Sequence, residues 1–129
     1  PAAHALARRR ALPLTALAAE PLALVSRSVS PDYHARIVGA CQAAGFTPQP
    51  LHELQHWLSV VSLVAQGLAV ALVPSALQQA ALSGAVFVPV KDPHGALPRY
   101  ETRCLWNPER DLPALGLFLA QVREVAQAG

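Results

Sequence analysis

Between Glu53 and Lys91 the chain carries no Asp, Glu, Lys or Arg, and within that stretch residues 57–73 are apolar enough to raise the question of a membrane. A spanning helix needs about 20 consecutive apolar residues. Here Gln66-Gly67 falls in the middle and Pro74 closes the run. The composition also changes, from mixed Leu, Val, Ser and Ala to the strand-like Ala69-Val70-Ala71-Leu72-Val73. The pattern therefore predicts two short buried elements, a helix over about 56–66 with Gly67 as its left-handed stop, then a strand over 69–73 buried on both faces. A strand with no polar face belongs in a parallel sheet covered by helices, so this stretch narrows the chain to an α/β fold.

The rest of the chain alternates in the same way. Pro21-Leu22-Ala23-Leu24-Val25-Ser26 reads as a short buried strand. Ser30 as N-cap and Pro31 as first residue open a helix whose inner face is Tyr33, Ile37, Ala40, Cys41 and Ala44, and Gly45 ends it. Asp32 and Arg36 lie one turn apart on its other face. Pro48 and Pro50 restrict 47–55 to an extended or edge segment, with strand character over 51–55. Ser75 is read as the cap of a short helix to about Leu82, Ser83-Gly84 as a turn, and 86–90 as a further strand, giving the order β-α-β-α-β-α-β. Residues 92–98 read as a loop and 100–106 alternate as a strand. A last helix, capped by Asp111, carries an apolar stripe of Leu112, Leu115, Phe118, Leu119, Val122 and Val125.

Two readings suit the start. Arg8-Arg9-Arg10 ahead of the apolar stretch 11–19 has the form of a charged region, an apolar core and a cleavage site, but Pro13 interrupts that core. The other reading is a surface arginine cluster leading into a short helical turn capped by Thr15. With no Met in the chain, we read it as a fragment or processed form. Hydrophobic residues make up 53% of the chain, which excludes intrinsic disorder. Ten Lys and Arg against eight Asp and Glu leave a net charge of only +2, without a basic stripe interleaved with aromatics, which argues against direct nucleic-acid binding. Cys41 and Cys104 are too few for a disulfide scaffold or a four-thiolate metal site, and read as reduced cytoplasmic thiols, with Cys41 in the core.

Two constellations could carry chemistry. His52-Glu53-Leu54-Gln55-His56 matches H-E-x-x-H, in which two histidines one helical turn apart bind zinc and the glutamate activates water. The motif needs a helix, whereas Pro48 and Pro50 put this copy at the end of an extended segment whose successive side chains point to opposite faces. Ser59 stands where the longer form of the motif has Gly, and no third ligand follows before Asp92. The other constellation is Ser26-Arg27-Ser28-Val29-Ser30-Pro31, joining the carboxyl end of a strand to a helix N-terminus. Free N–H groups and the helix dipole favour an anion there, Arg27 offers a partner for a carboxylate or phosphate, and the serines supply hydroxyls. The same serines also suit plain capping. His4, His34 and His94 read as isolated, with His34 exposed. No nucleophile elbow, phosphate loop or cofactor motif is present.

Glu20-Pro21-Leu22 entering a strand, Val29-Ser30-Pro31-Asp32-Tyr33-His34 opening a helix, and Ala44-Gly45-Phe46-Thr47-Pro48 after it together resemble the effector-binding domain of LysR-type transcriptional regulators. The run from Val60 to Pro74 is similar to the family's helix-Gly-strand-Val-Pro signature, and Leu117 to Glu124 to its terminal helix. The resemblance implies a fold like a type II periplasmic binding protein, with a mostly parallel sheet covered on both faces and two subdomains crossed by hinge strands. On that basis residues 1–19 would be a crossover segment after the first hinge. Residues 20–92 would form effector-binding subdomain II. Residues 93–129 would be a loop, the return hinge strand and a C-terminal helix belonging to subdomain I. The family's effectors lie between subdomains, which points to Ser26, Arg27, Ser30, Pro31, Asp32 and Tyr33, then Trp57 and Ser59, with Val73 and Pro74 as weaker positions. Asp32 departs from expectation, since its carboxylate opposes an anion unless Arg27 or Arg36 neutralises it.

The implied function is inducer sensing in a cytoplasmic homodimer or homotetramer. The ligand would be a small organic anion, such as an aromatic or short carboxylate, and DNA would be bound through an N-terminal helix-turn-helix outside this chain. This reading has no enzyme activity, cofactor, metal or membrane role. An extracytoplasmic solute-binding protein of the same fold is the alternative that an upstream signal peptide would favour, and a small zinc hydrolase the one that metal content would favour. From the balanced charge, the 129-residue chain alone is expected to give no sequence-specific shift in a salt-titrated DNA gel assay.

Overall fold

The computed structural model describes residues 1–91, 103–107 and 113–127. Its centre is β2 (Leu22–Val25), where all four side chains are at most 2% exposed. β3 (Pro50–Leu54) pairs with it on one side and β4 (Val70–Ala71) on the other, giving a three-stranded parallel sheet in the order β3-β2-β4. Leu24 lies opposite Glu53 and Val25 opposite Leu54, while Leu22 lies opposite Val70 and Ala23 opposite Ala71. A separate two-stranded parallel ladder joins β1 (Leu12–Pro13) to β5 (Val90–Lys91).

Alternation along β2 divides the core into two layers. Leu22 and Leu24 pack with Tyr33, Ile37, Ala40 and Cys41 of α1 (Pro31–Ala43), and with Leu14, Leu17, Val70 and Leu72. Ala23 and Val25 face the other way, onto Val60 of α2 (Trp57–Ala65) and Ala69, with Leu54, Leu63 and Val73 around them. The helices therefore cover opposite faces, as the uncharged run predicts. Among the described residues no helix is long and apolar enough to cross a membrane. Cys41 is fully buried and burial raises its thiol pKa, whereas Cys104 is exposed.

Both long helices of the sheet stop as the glycines require. After α1 the N–H of Gly45 donates to the Gln42 carbonyl and that of Phe46 to Cys41. After α2, Gly67 donates to Val64 and Leu68 to Leu63. Each pair is a Schellman closure, with the glycine in the left-handed region, φ 91° at Gly45 and 80° at Gly67.

Several expectations need correction. Leu14 and Leu17 are 3% and 4% exposed in the core, so the apolar start is folded structure, and Arg8, Arg9 and Arg10 are the exposed surface cluster. Thr15 does not cap the turn Leu14–Leu17, because Pro13 holds the cap position. The N-terminal stretch also supplies β1, whose two residues give no periodic signal. Ser75 is likewise inside the 3-10 turn Ser75–Ala80, capped in position by Pro74, and Ala81 ends it with φ 43°. The strand expected over 69–73 shortens to β4. The strand expected over 86–90 reduces to β5, since only two residues of β1 pair with it.

Of the strand expected over 100–106, residues 103–106 are exposed and irregular, and no described strand pairs with them. The loop over 92–98, Asp111 and Leu112 lie outside the described residues. α3 (Pro113–Gln127) forms as expected, yet its stripe is not a core face: Leu115, Leu119 and Val122 are half-buried, and Phe118 and Val125 are 57% and 71% exposed. Amphipathic spacing selects the face to be covered without providing the cover.

Gly67→Ala should cost about 1–2 kcal/mol, the price of a left-handed Cβ. Gly84→Ala should cost more in the same chemical denaturation series, because at φ 91° its Cβ would also stand 2.8 Å from the Ala65 carbonyl oxygen.

Candidate functional site

Because β2 and β3 are parallel and Val25 is level with Leu54, both strands release the chain at the same edge of the sheet, one into α1 and the other into α2. The β2–α1 loop is wound about Ser26. Its N–H donates to the Leu54 carbonyl at 2.8 Å, adding one rung beyond the strand, and its carbonyl accepts from the N–H groups of Val29 and Ser30 at 3.0 and 3.2 Å. The Ser26 hydroxyl accepts from the Ser28 N–H at 3.3 Å and shares a hydrogen bond with the Ser28 hydroxyl at 3.0 Å.

Ser30 occupies the N-cap of α1, but its side chain makes no capping bond, contrary to the capping role expected of it. Pro31 has no N–H, so the groups that an anion could reach on the first turn are the N–H of Asp32 and of Tyr33. The His34 N–H is already taken by the Ser30 carbonyl at 3.0 Å. His56 holds the N-cap of α2 in an extended conformation, also without a side-chain cap, and the Leu58 and Ser59 N–H groups stand in the corresponding position. Two helix N-termini, each short of a side-chain acceptor, thus rise from neighbouring parallel strands. Their dipoles favour negative charge at this edge, as Arg27 does, while the exposed Asp32 carboxylate on the first turn of α1 opposes it.

The residues singled out from sequence all lie at these junctions. Arg27, Pro31, Asp32 and Ser59 are exposed, Ser26, Ser30 and Trp57 half-buried, and Tyr33 is 7% exposed. The Tyr33 hydroxyl donates to the Leu72 carbonyl at 3.2 Å, beside Val73 and Pro74, which brings the third strand's carboxyl end to the same place. The Tyr33 and Trp57 rings meet edge to face, with centroids 4.9 Å apart at 84°. These links join residues far apart in the chain, and no local spacing signals them.

Two histidines expected to be isolated face carboxylates, although among the described residues Nε2 of His34 is buried without a hydrogen-bond partner. Glu53 shares the face of Leu24, hence of α1, and its Oε1 lies 3.5 Å from Nε2 of His34, which is partly buried rather than exposed. His4 Nδ1 accepts the Leu6 N–H at 3.3 Å, so the proton belongs on Nε2, 3.3 Å from Glu20 Oε2. His94 lies outside the described residues.

This register also takes the H-E-x-x-H residues apart. His52 is level with Ala23 and Glu53 with Leu24, so they point to opposite faces of the sheet, and His56 sits beyond the strand at the start of α2. Among the described residues no three His, Cys, Asp or Glu side chains gather as a metal site. Elemental analysis of the purified protein should find no stoichiometric zinc. One tightly held ion per chain, lost in His52→Ala, would overturn that expectation.

Comparison with known proteins bears on the same geometry. The family model described as LysR substrate binding domain matches residues 1–127. The HTH-type transcriptional regulator IlvR of Caulobacter vibrioides is 34% identical over 117 residues, which is 91% of this chain and 38% of that protein. The chain thus spans well under half the length of this relative. With its parallel sheet, its helices on both faces and a family match along nearly its whole length, the chain belongs to the LysR-type transcriptional regulators, as a substrate-binding domain of the type II periplasmic-binding-protein-like fold.

Proposed function

We propose that the chain is the non-catalytic, ligand-sensing part of a bacterial LysR-type regulator, taking a small organic anion such as an aromatic or short carboxylate. The observation that carries this reading is the pair of helix N-termini at the carboxyl ends of β2 and β3, neither of them closed by a side-chain cap. The anion is held by the N–H groups of residues 32 and 33 and by the hydroxyls of Ser26 and Ser30. Arg27 supplies a charged partner, and Trp57 and Ser59 border it from α2. Residues 20–92 act as subdomain II, 1–19 as the crossover leading into it, and 93–129 as the return to subdomain I.

Closure of the two subdomains around the anion then biases their relation, and with it the spacing of DNA-binding heads in a cytoplasmic homodimer or homotetramer. The helix-turn-helix that such a mechanism needs is named in the Caulobacter relative and lies outside this chain.

Two substitutions in the full-length protein test the site from opposite sides. Arg27→Ala should weaken the response to the inducer about three- to tenfold while leaving folding and DNA binding intact, because an exposed charge-assisted contact is lost. Asp32→Asn should strengthen anion binding about two- to fivefold. It should also cost up to about 1 kcal/mol of stability, since the carboxylate that repels the ligand also complements the α1 dipole. Unchanged inducer affinity in both variants, measured by calorimetry, would place the sensing residues elsewhere.

A further inference from the structure

We infer that the Tyr33 side chain is the positioning residue of this site, setting the two helix N-termini in register from below while its backbone N–H faces the ligand. The inference rests on the anion site proposed above and assigns the phenol a part that the site alone does not. Tyr33 stands on the first turn of α1, in the layer formed by Leu22 and Leu24. Its hydroxyl crosses to Leu72, one residue past β4, and its ring meets Trp57, the first residue of α2. One side chain therefore ties the end of β4 on one flank of β2 to the β3–α2 junction on the other.

Trp57 makes that tie effective. Among the described residues it is the side chain packed against both core layers, that of α1 and that of α2, so it sits where the two faces meet at the sheet's edge. A phenylalanine at position 33 would fill the same space and keep the ring contact. What it would lose is the hydroxyl's tether to the Leu72 carbonyl, which anchors the tip of the ring at the end of β4, and with it the placement of Trp57 and the α2 N-terminus relative to that of α1.

The test uses the full-length regulator labelled with 5-fluorotryptophan, with the Trp57 fluorine resonance identified by its loss in Trp57→Phe and benzoate as the probe ligand. Tyr33→Phe should move the Trp57 resonance of the ligand-free protein and weaken benzoate binding by about fivefold or more. A Trp57 resonance unmoved in Tyr33→Phe, or one that moves while benzoate affinity stays the same, overturns the inference even if the melting temperature falls. Wild-type protein that does not bind benzoate would count against an aromatic carboxylate as the ligand, and the resonance comparison would then decide the role of Tyr33 by itself. Should Tyr33→Phe fail to fold, Trp57→Leu removes the ring contact from the other side. It should cost a comparable factor in benzoate affinity, and an unchanged affinity there overturns the inference as well.

Discussion

Everything in this fold hangs from four consecutive apolar residues. Leu22, Ala23, Leu24 and Val25 have no face to turn to water, so the chain on either side must supply a strand at each edge and a helix on each face. Removing either helix would expose two of these side chains at once. The chemistry of the edge follows from the same constraint, because a central parallel strand forces its neighbours to leave the sheet in one direction. The helix N-termini collect there without any residue having been placed for binding. On the proposed function, the ligand site is built on a position that packing had already produced.

Elements governed by local chemistry were legible in the sequence. The Pro31 start and Gly45 stop of α1, the Gly67 stop of α2, and the buried character of β2 and β4 follow from backbone preference and period, which act within a few residues. The limits were set by partners. β1 and β5 are two residues each and exist only because they pair with each other. Residues 103–106 have the alternation of a strand and no described neighbour to pair with, while α3 has the stripe of a buried helix and carries Leu117 at 75% exposed beside Phe118. The candidate site divides along the same line. Its polar loop could be read from Ser26 to Asp32, but the Tyr33 bond to Leu72 and the Tyr33–Trp57 contact depend on how α1 and α2 sit on the sheet.

The histidines show how register decides chemistry. A one-residue slip of β3 would put His52 where Glu53 is and give the zinc-like motif a different set of neighbours. As folded, Leu24 opposite Glu53 turns the glutamate toward His34 and the histidine at 52 away from it. On the strand the same motif separates, with a Glu53 carboxylate oxygen 3.5 Å from His34 on one face and the half-buried His52 imidazole on the other.

The two uncapped helix N-termini are where stability and the proposed sensing meet. Ser30 is among the best N-cap residues, and a capping bond contributes about 1 kcal/mol, yet its hydroxyl does not turn inward to make one. His56 leaves α2 in the same condition. Each helix therefore forgoes a local gain that its own first turn could accept, and the forgone acceptor is the role that a carboxylate oxygen fills. On the proposed function, ligand and cap are chemically equivalent at these termini, and occupancy supplies to both helices the acceptor that their side chains withhold. On that reading the binding energy falls where the two helices must hold a common orientation, and the response follows from the stabilisation that the ligand adds.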